Sequence, residues 1–304
     1  MVCVCNENKR KFRPKWLFLS RFSILGQSPK VIKIKKMPSI VLYYLLFVLV
    51  LFVFQRNFIY FPEQHSIEKQ QELAEQFNLK LWPSRDNYLG LISKSTQTNH
   101  RQGTIIVFHG NAGSAINRIY YLQALEKLGY RIILAEYPGY GARKGSPSEK
   151  TLIADGVDTL KQALHDFGGP VFLWGESLGS GVVSGIMQTS QTQVKGIVLI
   201  TPFDSLANIA QHHYWFFPAK WLVLDKFNNI KNLQNYQGSI AILLADKDEI
   251  IPNKYSLNLF DSLLHRKRLW IFKNAGHNSL PLASELPWWQ EVMQFVAEKN
   301  GGFF

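Results

Sequence analysis

Ser177 lies between Gly175 and Gly179 in the stretch VFLWGESLGSG, residues 171–181. The apolar run 171–174 predicts a buried strand, and the small residues after Ser177 predict a tightly packed helix, so a sharp turn must join them. In such a turn a serine takes a strained backbone conformation that small neighbours such as Gly175 and Gly179 tolerate, and its hydroxyl projects from both elements. The pattern predicts that Ser177 is a nucleophile, although a glycine-rich turn without catalytic function fits this stretch alone equally well.

Two further strand ends carry the residue types that a serine nucleophile requires. The stretch LLADKDEIIP presents Asp248 in a turn after one strand, and NAGHNSL places His277 directly after the last strand. An imidazole must take the serine proton, and a carboxylate must orient that imidazole. The chain order Ser, Asp, His is that of an α/β hydrolase. We therefore expect Ser177 as nucleophile, His277 as general base and acid, and Asp248 as orienting acid, with Asp246 and Asp204 as alternatives for the acid.

A candidate oxyanion hole lies in VFHGNAG, residues 107–113. This stretch ends a strand and then offers backbone N–H groups at Asn111 and Ala112 in a turn of small residues. One of them, paired with the N–H of Leu178 at a helix start, could bind the negative charge that develops during acyl transfer. His109 lies in the same stretch without an assigned role.

Apolar strands alternate with amphipathic helices along most of the chain. This pattern predicts an α/β fold with a mostly parallel central sheet and helices on both faces. The aromatic-rich stretch 203–236 is longer than an ordinary connection, so it is a candidate lid or substrate wall. A helix at the sheet edge with its aromatic side chains in the core is the alternative. The predicted strands are 104–110, 131–137, 171–175, 196–201, 240–246 and 269–274, with an edge strand or hairpin at 80–94; the predicted helices are 63–79, 114–128, 148–167, 178–189, one after residue 252, and 284–298.

An apolar segment near the amino terminus predicts a membrane span. The stretch Ile40–Phe54 contains no charged residue, and the apolar character continues to Tyr60. Counted from Pro38, this is long enough to cross a hydrocarbon core of about 30 Å as a helix. No small-residue cleavage site follows it, so we expect an uncleaved anchor and not a signal peptide.

The net charge of +12 is concentrated before this segment. Residues 1–36 contain ten Lys or Arg residues and a single acidic residue, Glu7. Such a block before a span is explained by membrane orientation and anionic lipid, and nucleic acid is not an expected partner. The positive-inside rule predicts a cytoplasmic amino terminus and a non-cytoplasmic catalytic domain, periplasmic in a two-membrane bacterium. A chain starting at Met37 would lose the basic flank, and Arg56 would favour the opposite orientation.

No metal or organic cofactor is expected. Both cysteines, Cys3 and Cys5, precede the span, so the rest of the chain can form neither an internal disulfide nor a Cys-ligated zinc site. The chain has neither the G-x-x-x-x-G-K-[ST] nor the G-x-G-x-x-G motif of nucleotide-binding loops. A serine, histidine and aspartate supply their own nucleophile and base.

Six motifs in order, HGNAG, EYPGYG, GESLGSG, TPFDSL, DKDEIIP and AGHN, resemble those of membrane-anchored α/β-hydrolase-domain proteins. These proteins are related to depalmitoylases, monoacylglycerol hydrolases and lysophospholipid hydrolases, and the likeness covers about residues 55–300. The resemblance implies that Ser177, Asp248 and His277 form a catalytic triad. Such proteins commonly begin directly with the apolar helix, so Met1 and Met37 are both candidate starts.

The resulting expectation is a serine hydrolase that cleaves carboxylic esters or thioesters of amphiphilic acyl substrates through an acyl-enzyme. Its expected partners are the acyl substrate and membrane lipid, with no obligate protein partner. A serine aminopeptidase or amidase on the same fold and a non-catalytic membrane-bound scaffold are the alternatives. The expected organisation is a basic tail (1–36), a transmembrane anchor (37–61) and a hydrolase domain (62–302) that contains the insert at 203–236.

Overall fold

The structure, a computed structural model, describes residues 39–94, 102–190 and 193–298. The chain divides into two units, Met1–Tyr43 and Tyr44–Phe304. Of the first unit, only the initial residues of a helix, from Ser39 onward, are described. The basic tail predicted at 1–36 lies outside the described residues.

Ten α-helices and ten strands form the described part of the chain, with short 3-10 helices at Gln55–Phe58, Ala115–Arg118 and Glu126–Leu128. The helices are α1 (Ser39–Phe54), α2 (Ile67–Gln76), α3 (Tyr120–Leu125), α4 (Glu149–Phe167), α5 (Leu178–Ser190), α6 (Leu206–His213), α7 (Ala219–Leu222), α8 (Asn229–Leu233), α9 (Asn253–Ser262) and α10 (Trp288–Ala297). The strands are β1 (Phe61–Pro62), β2 (Leu79–Pro83), β3 (Tyr88–Ser93), β4 (Gly103–Phe108), β5 (Ala112–Gly113), β6 (Tyr130–Ala135), β7 (Val171–Glu176), β8 (Gly196–Ile200), β9 (Ser239–Ala245) and β10 (Lys267–Phe272).

Eight strands make the central sheet, in the order β10-β9-β8-β7-β4-β6-β3-β2. The six strands from β10 to β6 are parallel, and the β2–β3 hairpin adds two antiparallel strands at one edge. One face packs against side chains of α4, α5, α8 and α9, and the other against side chains of α2, α3 and α10. Strands β4, β8 and β9 are buried along their whole length because both faces are covered. The predicted fold class is confirmed.

The predicted helix at 114–128 is wrong as one continuous element. A 3-10 turn comes first, α3 follows, and a second 3-10 turn precedes Gly129, which has a φ of 83°. The side-chain oxygen of Asn117 accepts a hydrogen bond from the N–H of Ser114 at 2.7 Å. This local bond competes with regular helical bonding at the start of the segment, so the first turn is tightened.

The segment after α1 is bonded to two loops of the sheet, which the sequence did not indicate. Strand β1 pairs with β5: the N–H of Phe61 donates to the carbonyl of Asn111, and the N–H of Glu63 donates to that of Gly113, both at 2.9 Å. The carbonyl of Glu63 in turn accepts from the N–H of Gly141 at 2.8 Å. The end of the apolar helix is therefore joined to the loops after β4 and β6.

The helix and 3-10 turn over Ser39–Phe58 are long and apolar enough to cross a membrane, and no other helix of the described residues meets both criteria. None of the side chains in its apolar window is buried inside the protein. The chain therefore has one candidate transmembrane helix near its amino terminus, as predicted.

Candidate active site

Ser177 lies in the sharp turn between β7 and α5, with a φ of 50°. Its N–H donates to the carbonyl of Ile200, at the end of β8, at 2.9 Å. A side chain at Gly175 would come 2.7 Å from the Cα atom of Ser180, and one at Gly179 would overlap the carbonyl oxygen of Phe108. Both glycines are therefore required by close backbone packing, and the serine keeps a left-handed conformation that a non-glycine residue rarely adopts.

Ser177, His277 and Asp248 form one chain of hydrogen bonds. The Nε2 atom of His277 lies 3.0 Å from Oγ of Ser177, and its Nδ1 atom lies 2.8 Å from Oδ2 of Asp248. The second carboxylate oxygen of Asp248 accepts from the backbone N–H groups of Ile250 and Ile251, at 3.0 and 2.7 Å. Because the carboxylate accepts from Nδ1–H, Nε2 is left to accept the serine proton.

Neither of the two alternative acids bonds to His277 among the described residues. The Asp204 carboxylate is buried and accepts from the side-chain amides of Asn208 and Asn258, at 2.9 and 2.7 Å. Asp246 follows β9 but makes no hydrogen bond with His277 among the described residues. Of the three candidate acids, only Asp248 reaches the imidazole of His277, because the turn before α9 directs its carboxylate back toward the loop after β10.

Asn111 and Leu178 line the same cavity as Ser177. Leu178 begins α5, so its N–H has no intrahelical partner. Ala112, the other candidate donor, is exposed and lies in β5. Of the two candidate N–H groups in this loop, the one on Asn111 therefore lies at the cavity.

Three bonds hold the Asn111 backbone in position. Its side-chain amide donates to the carbonyl of Ile59 at 2.8 Å. Its own carbonyl accepts from the N–H of Phe61 at 2.9 Å and from the hydroxyl of Tyr140 at 2.8 Å. The backbone N–H takes part in none of these bonds. Two of the three partners belong to the segment that follows α1, so this segment positions a loop of the candidate site.

His109, which had no role from sequence, belongs to a buried hydrogen-bond network under this loop. Its Nδ1 atom lies 2.7 Å from the carbonyl of Gly110, and its Nε2 atom lies 3.2 Å from Oε1 of Glu136. The carboxylate of Glu136 also accepts from the N–H of Ala115. These bonds link the ends of β4 and β6. No local sequence signal identifies the pair, because its members are 27 residues apart.

A second charged cluster lies directly before the nucleophile turn. Glu176 accepts from Arg118 at 3.1 Å through both Nε and a terminal nitrogen, and from the hydroxyl of Tyr120 at 3.0 Å. Burial alone would raise the pKa of Glu176, but the charge of Arg118 and the hydrogen bonds from Arg118 and Tyr120 hold that pKa below its usual value. The carboxylate is therefore ionised and fixed, so it braces the end of β7.

Ser177 opens into a cavity of about 400 Å³ whose walls are mostly apolar. The segment 203–236 supplies much of this wall, including Phe203, Ile209 and Tyr214. The middle of that segment does not pack in the core, since Trp215 and Trp221 are 79% and 78% exposed. No Asp, Glu, Lys or Arg of the described residues lines the cavity. The described residues also contain no cluster of three or more His, Cys, Asp or Glu that could hold a metal ion.

Comparisons with known proteins identify the class. A family model described as serine aminopeptidase, S33 (Hydrolase_4) matches residues 99–231. An uncharacterised protein of Mycobacterium tuberculosis is 27% identical over 251 residues, which cover 80% of this chain and 88% of that protein. Lysophosphatidylserine lipase ABHD12 of Gallus gallus is 31% identical over 178 residues, which cover 52% of this chain and 46% of the lipase. This chain thus matches about half the length of that relative.

The solved structure of the Pyrococcus furiosus esterase Pf2001 superimposes with a TM-score of 0.57 at 16% identity, over 78% of this chain and 96% of the esterase. At this identity the likeness shows the fold. The chain therefore has the α/β-hydrolase fold, and an ester hydrolase is the kind of enzyme that the family match and the relatives support. The resemblance of the sequence motifs to those of α/β-hydrolase-domain proteins is therefore confirmed for the fold and for the general kind of enzyme.

Proposed function

We propose that this chain is a membrane-anchored serine hydrolase that cleaves carboxylic esters or thioesters of amphiphilic acyl substrates, with Ser177 as the nucleophile. The observation that carries the proposal is the hydrogen-bonded chain from Ser177 through His277 to Asp248, which opens into an apolar cavity. A nucleophile, a base and an oriented carboxylate at these distances have the arrangement that acyl transfer requires.

The geometry supports a two-step reaction. As Oγ of Ser177 attacks the acyl carbonyl carbon, Nε2 of His277 takes the hydroxyl proton and the Asp248 carboxylate stabilises the imidazolium. The carbonyl oxygen becomes negatively charged and accepts hydrogen bonds from the N–H groups of Asn111 and Leu178. The tetrahedral intermediate then expels the alcohol or thiol, which receives the proton from His277. Water, deprotonated by His277, attacks the acyl-enzyme and releases the carboxylic acid.

The cavity supports an apolar acyl group and not the free amine of a peptide substrate. An aminopeptidase needs a carboxylate near the scissile bond to pair with the substrate ammonium group, and no acidic side chain of the described residues lines this cavity. Walls such as Leu206, Ile209 and Ile251 suit a hydrocarbon chain. The similarity to a protein named as a lysophosphatidylserine lipase favours the same class of substrate. The substrate panel described next determines the acyl length and the head group.

The test is a panel of acyl esters, thioesters and aminoacyl amides of graded chain length, assayed with the full chain in detergent micelles. The Ser177→Ala and His277→Ala substitutions should each lower turnover by a factor on the order of 10³ or more. Ser177→Ala should also abolish labelling by a fluorophosphonate probe. Persistent labelling would exclude this nucleophile, and a preference for acetyl over longer chains, or for amides over esters, would exclude the proposed substrate class.

The carboxylate has its own comparison. Asp248→Asn should lower turnover by a factor on the order of 10³ or more, because the imidazole loses its orienting acceptor. Asp204→Asn and Asp246→Asn are matched controls, since neither carboxylate bonds to His277, and they should change turnover far less. The reverse ranking would assign the acid to another residue.

The proposal includes a membrane arrangement with an anchor at 37–61 and a hydrolase domain at 62–302 on the non-cytoplasmic side. Ten Lys or Arg residues precede the span, whereas only Arg56 and then Lys69 follow closely after it. Alkaline phosphatase and fluorescent protein fused to the carboxyl terminus, from starts at Met1 and at Met37, test the orientation. Fluorescence without phosphatase activity from the Met1 start would show the opposite orientation.

A further inference from the structure

A second, narrow cavity of about 80 Å³ lies beside the end of α1. Leu51, Phe52 and Phe58 form one side, and Phe217 and Leu222 of the segment 203–236 form the other. These side chains are hydrocarbon or aromatic, so the cavity suits a hydrocarbon chain and not a polar ligand.

Besides the hydroxyl of Tyr214, the lining contains one polar side chain, Gln55, which is already bonded. Its Nε2 atom donates to the carbonyl of Phe52, and its Oε1 atom accepts from the N–H of Leu224, both at 2.7 Å. The nearby charge of Arg56 is also paired, because Nε donates to the Asp225 carboxylate at 2.9 Å. An apolar chain in this cavity would therefore leave Gln55 and Arg56 with their partners.

The narrow cavity adjoins the Ser177 cavity. Five residues border both: Phe58, Ile59, Ala210, Tyr214 and Val223. Small displacements of these side chains would join the two cavities into one apolar channel from the side of α1 to the nucleophile. None of the residues that line either cavity is Asp, Glu, Lys or Arg.

The segment 203–236 extends along α1 toward its amino-terminal half. The hydroxyl of Tyr44 lies 3.5 Å from the carbonyl oxygen of Phe216. Tyr44 precedes the last residue of α1, Phe54, by ten residues, which corresponds to about 15 Å of helix. If α1 crosses a hydrocarbon core of about 30 Å, the tip around Phe216 lies inside one leaflet. This position explains why Trp215 and Phe216 project large apolar rings from the surface.

We propose that the acyl chain of a single-chain amphiphile enters the Ser177 cavity laterally from the bilayer, through a port between α1 and the segment 203–236. The tip of that segment lies in the same leaflet as the substrate. This inference rests on the proposed hydrolase function, because it concerns how the substrate reaches Ser177. A lipid already in the leaflet moves its acyl chain along the channel without passing through water.

Filling the port while leaving the Ser177 cavity intact tests the route. Ala219 lines only the outer cavity, so Ala219→Phe narrows the port; Ala154→Phe, on the exposed face of α4, is the matched control. The full chain is reconstituted in phosphatidylcholine vesicles that contain a long-chain monoacylglycerol. Ala219→Phe should lower hydrolysis of this embedded substrate by about 10-fold or more, but should change fluorophosphonate labelling and turnover of a water-soluble butyrate ester by less than about twofold.

The outcomes separate the two proposals. Unchanged hydrolysis of the embedded substrate by Ala219→Phe would exclude the port. If the unmodified chain neither reacts with the probe nor hydrolyses the butyrate ester, the hydrolase proposal itself fails. Should Ala219→Phe not fold, Phe217→Ala widens the port and should raise the rate on the embedded substrate relative to the soluble ester. If Phe217→Ala changes the rates on the embedded substrate and on the soluble ester by the same factor, the port is excluded.

A depth measurement tests the position of the tip without using activity. The only cysteines are Cys3 and Cys5, so replacing both by Ser allows one nitroxide label at Phe216→Cys or, as an exposed control, at Phe77→Cys. In vesicles, the label at position 216 should be relaxed more strongly by oxygen, which partitions into lipid, than by a water-soluble nickel chelate. Equal exposure of both labels to the nickel chelate would place the tip in water and overturn the proposal.

Discussion

Replacing Arg118 by methionine should destabilise the fold at the base of the nucleophile turn. Both of its nitrogens that bond to Glu176 lie 3.1 Å from the carboxylate, and the two side chains are only 15% and 20% exposed. Methionine keeps much of the apolar stem but leaves the carboxylate without its cation. Breaking a buried pair in this way costs about 3–5 kcal/mol, and the remaining exposure favours the lower end, about 3 kcal/mol. In a domain of this size, that loss lowers the thermal midpoint by roughly 6–12 °C.

The stability lost in Arg118→Met should depend on pH, in a direction set by the pKa of Glu176. In the native protein the pKa of Glu176 is held low, so its contribution to stability is present above the unfolded-state pKa and is lost as the pH falls through the folded-state pKa. Without Arg118 the effect of burial, the largest of the causes, outweighs the remaining hydrogen bond from Tyr120, and the folded-state pKa rises above the unfolded value of about 4.3. Stability of the variant then falls as the pH rises through this higher pKa. The difference between the two proteins should therefore be larger at neutral pH than in mild acid.

Thermal unfolding of the full chain in detergent micelles, followed by circular dichroism at pH about 5 and about 8, measures this difference. Arg85→Met is the matched control, because Arg85 and its partner Glu68 are 51% and 67% exposed, and an exposed pair contributes less than about 1 kcal/mol. In the double variant Arg118→Met/Glu176→Gln, the pH-dependent part of the stability loss should disappear. The reasoning is refuted if Arg118→Met and Arg85→Met lower the thermal midpoint equally. It is also refuted if the decrease in Arg118→Met is the same at both pH values.

Two further substitutions have defined outcomes. Gly179→Ala should lower fluorophosphonate labelling by a factor on the order of 10² or more, because its Cβ atom would overlap the carbonyl oxygen of Phe108 and shift the nucleophile turn. Gly129→Asn, at a left-handed position that asparagine tolerates, should keep the labelling of the unmodified chain, and equal labelling of the two variants would contradict this account. Asp225→Leu should lower the thermal midpoint by an amount that corresponds to about 1–3 kcal/mol, because Arg56, the hydroxyl of Tyr60 and the N–H of Glu149 lose their acceptor; an unchanged midpoint would show that these bonds contribute nothing.

Much of the sheet could be predicted from the sequence because its central strands are buried on both faces. Such strands are short, continuous apolar runs, as in β4 and β9, and their ends are marked by glycines or polar residues. The positions of Ser177, Asp248 and His277 followed from the same pattern, since each comes just after a strand whose carboxyl end must lie at one edge of the sheet. Their mutual distances did not follow, because they depend on turn conformations.

The features that sequence reasoning missed depend on contacts between distant segments. Strands β1 and β5 have two residues each, too few for any periodic pattern. The His109–Glu136 pair joins the ends of two strands and has no local motif. The aromatic segment 203–236 is divided in a way that composition could not predict: Phe203 and Phe227 are buried, whereas Trp215 is exposed. The direction of each side chain there is set by short helices of four to eight residues.

The segment that follows α1 gives this candidate membrane helix a structural role as well as a positional one. The carbonyl of Ile59 and the N–H of Phe61 hold Asn111, whose own N–H is a candidate oxyanion donor. A flexible tether would place the domain near the bilayer but would transmit no geometry to the site. Here the chain leaves α1 and, within a few residues, is hydrogen-bonded to the loop that faces Ser177. Any tilt of the helix end must therefore be absorbed by this loop or opposed by it, so the geometry of the candidate oxyanion hole is coupled to the orientation of the end of α1.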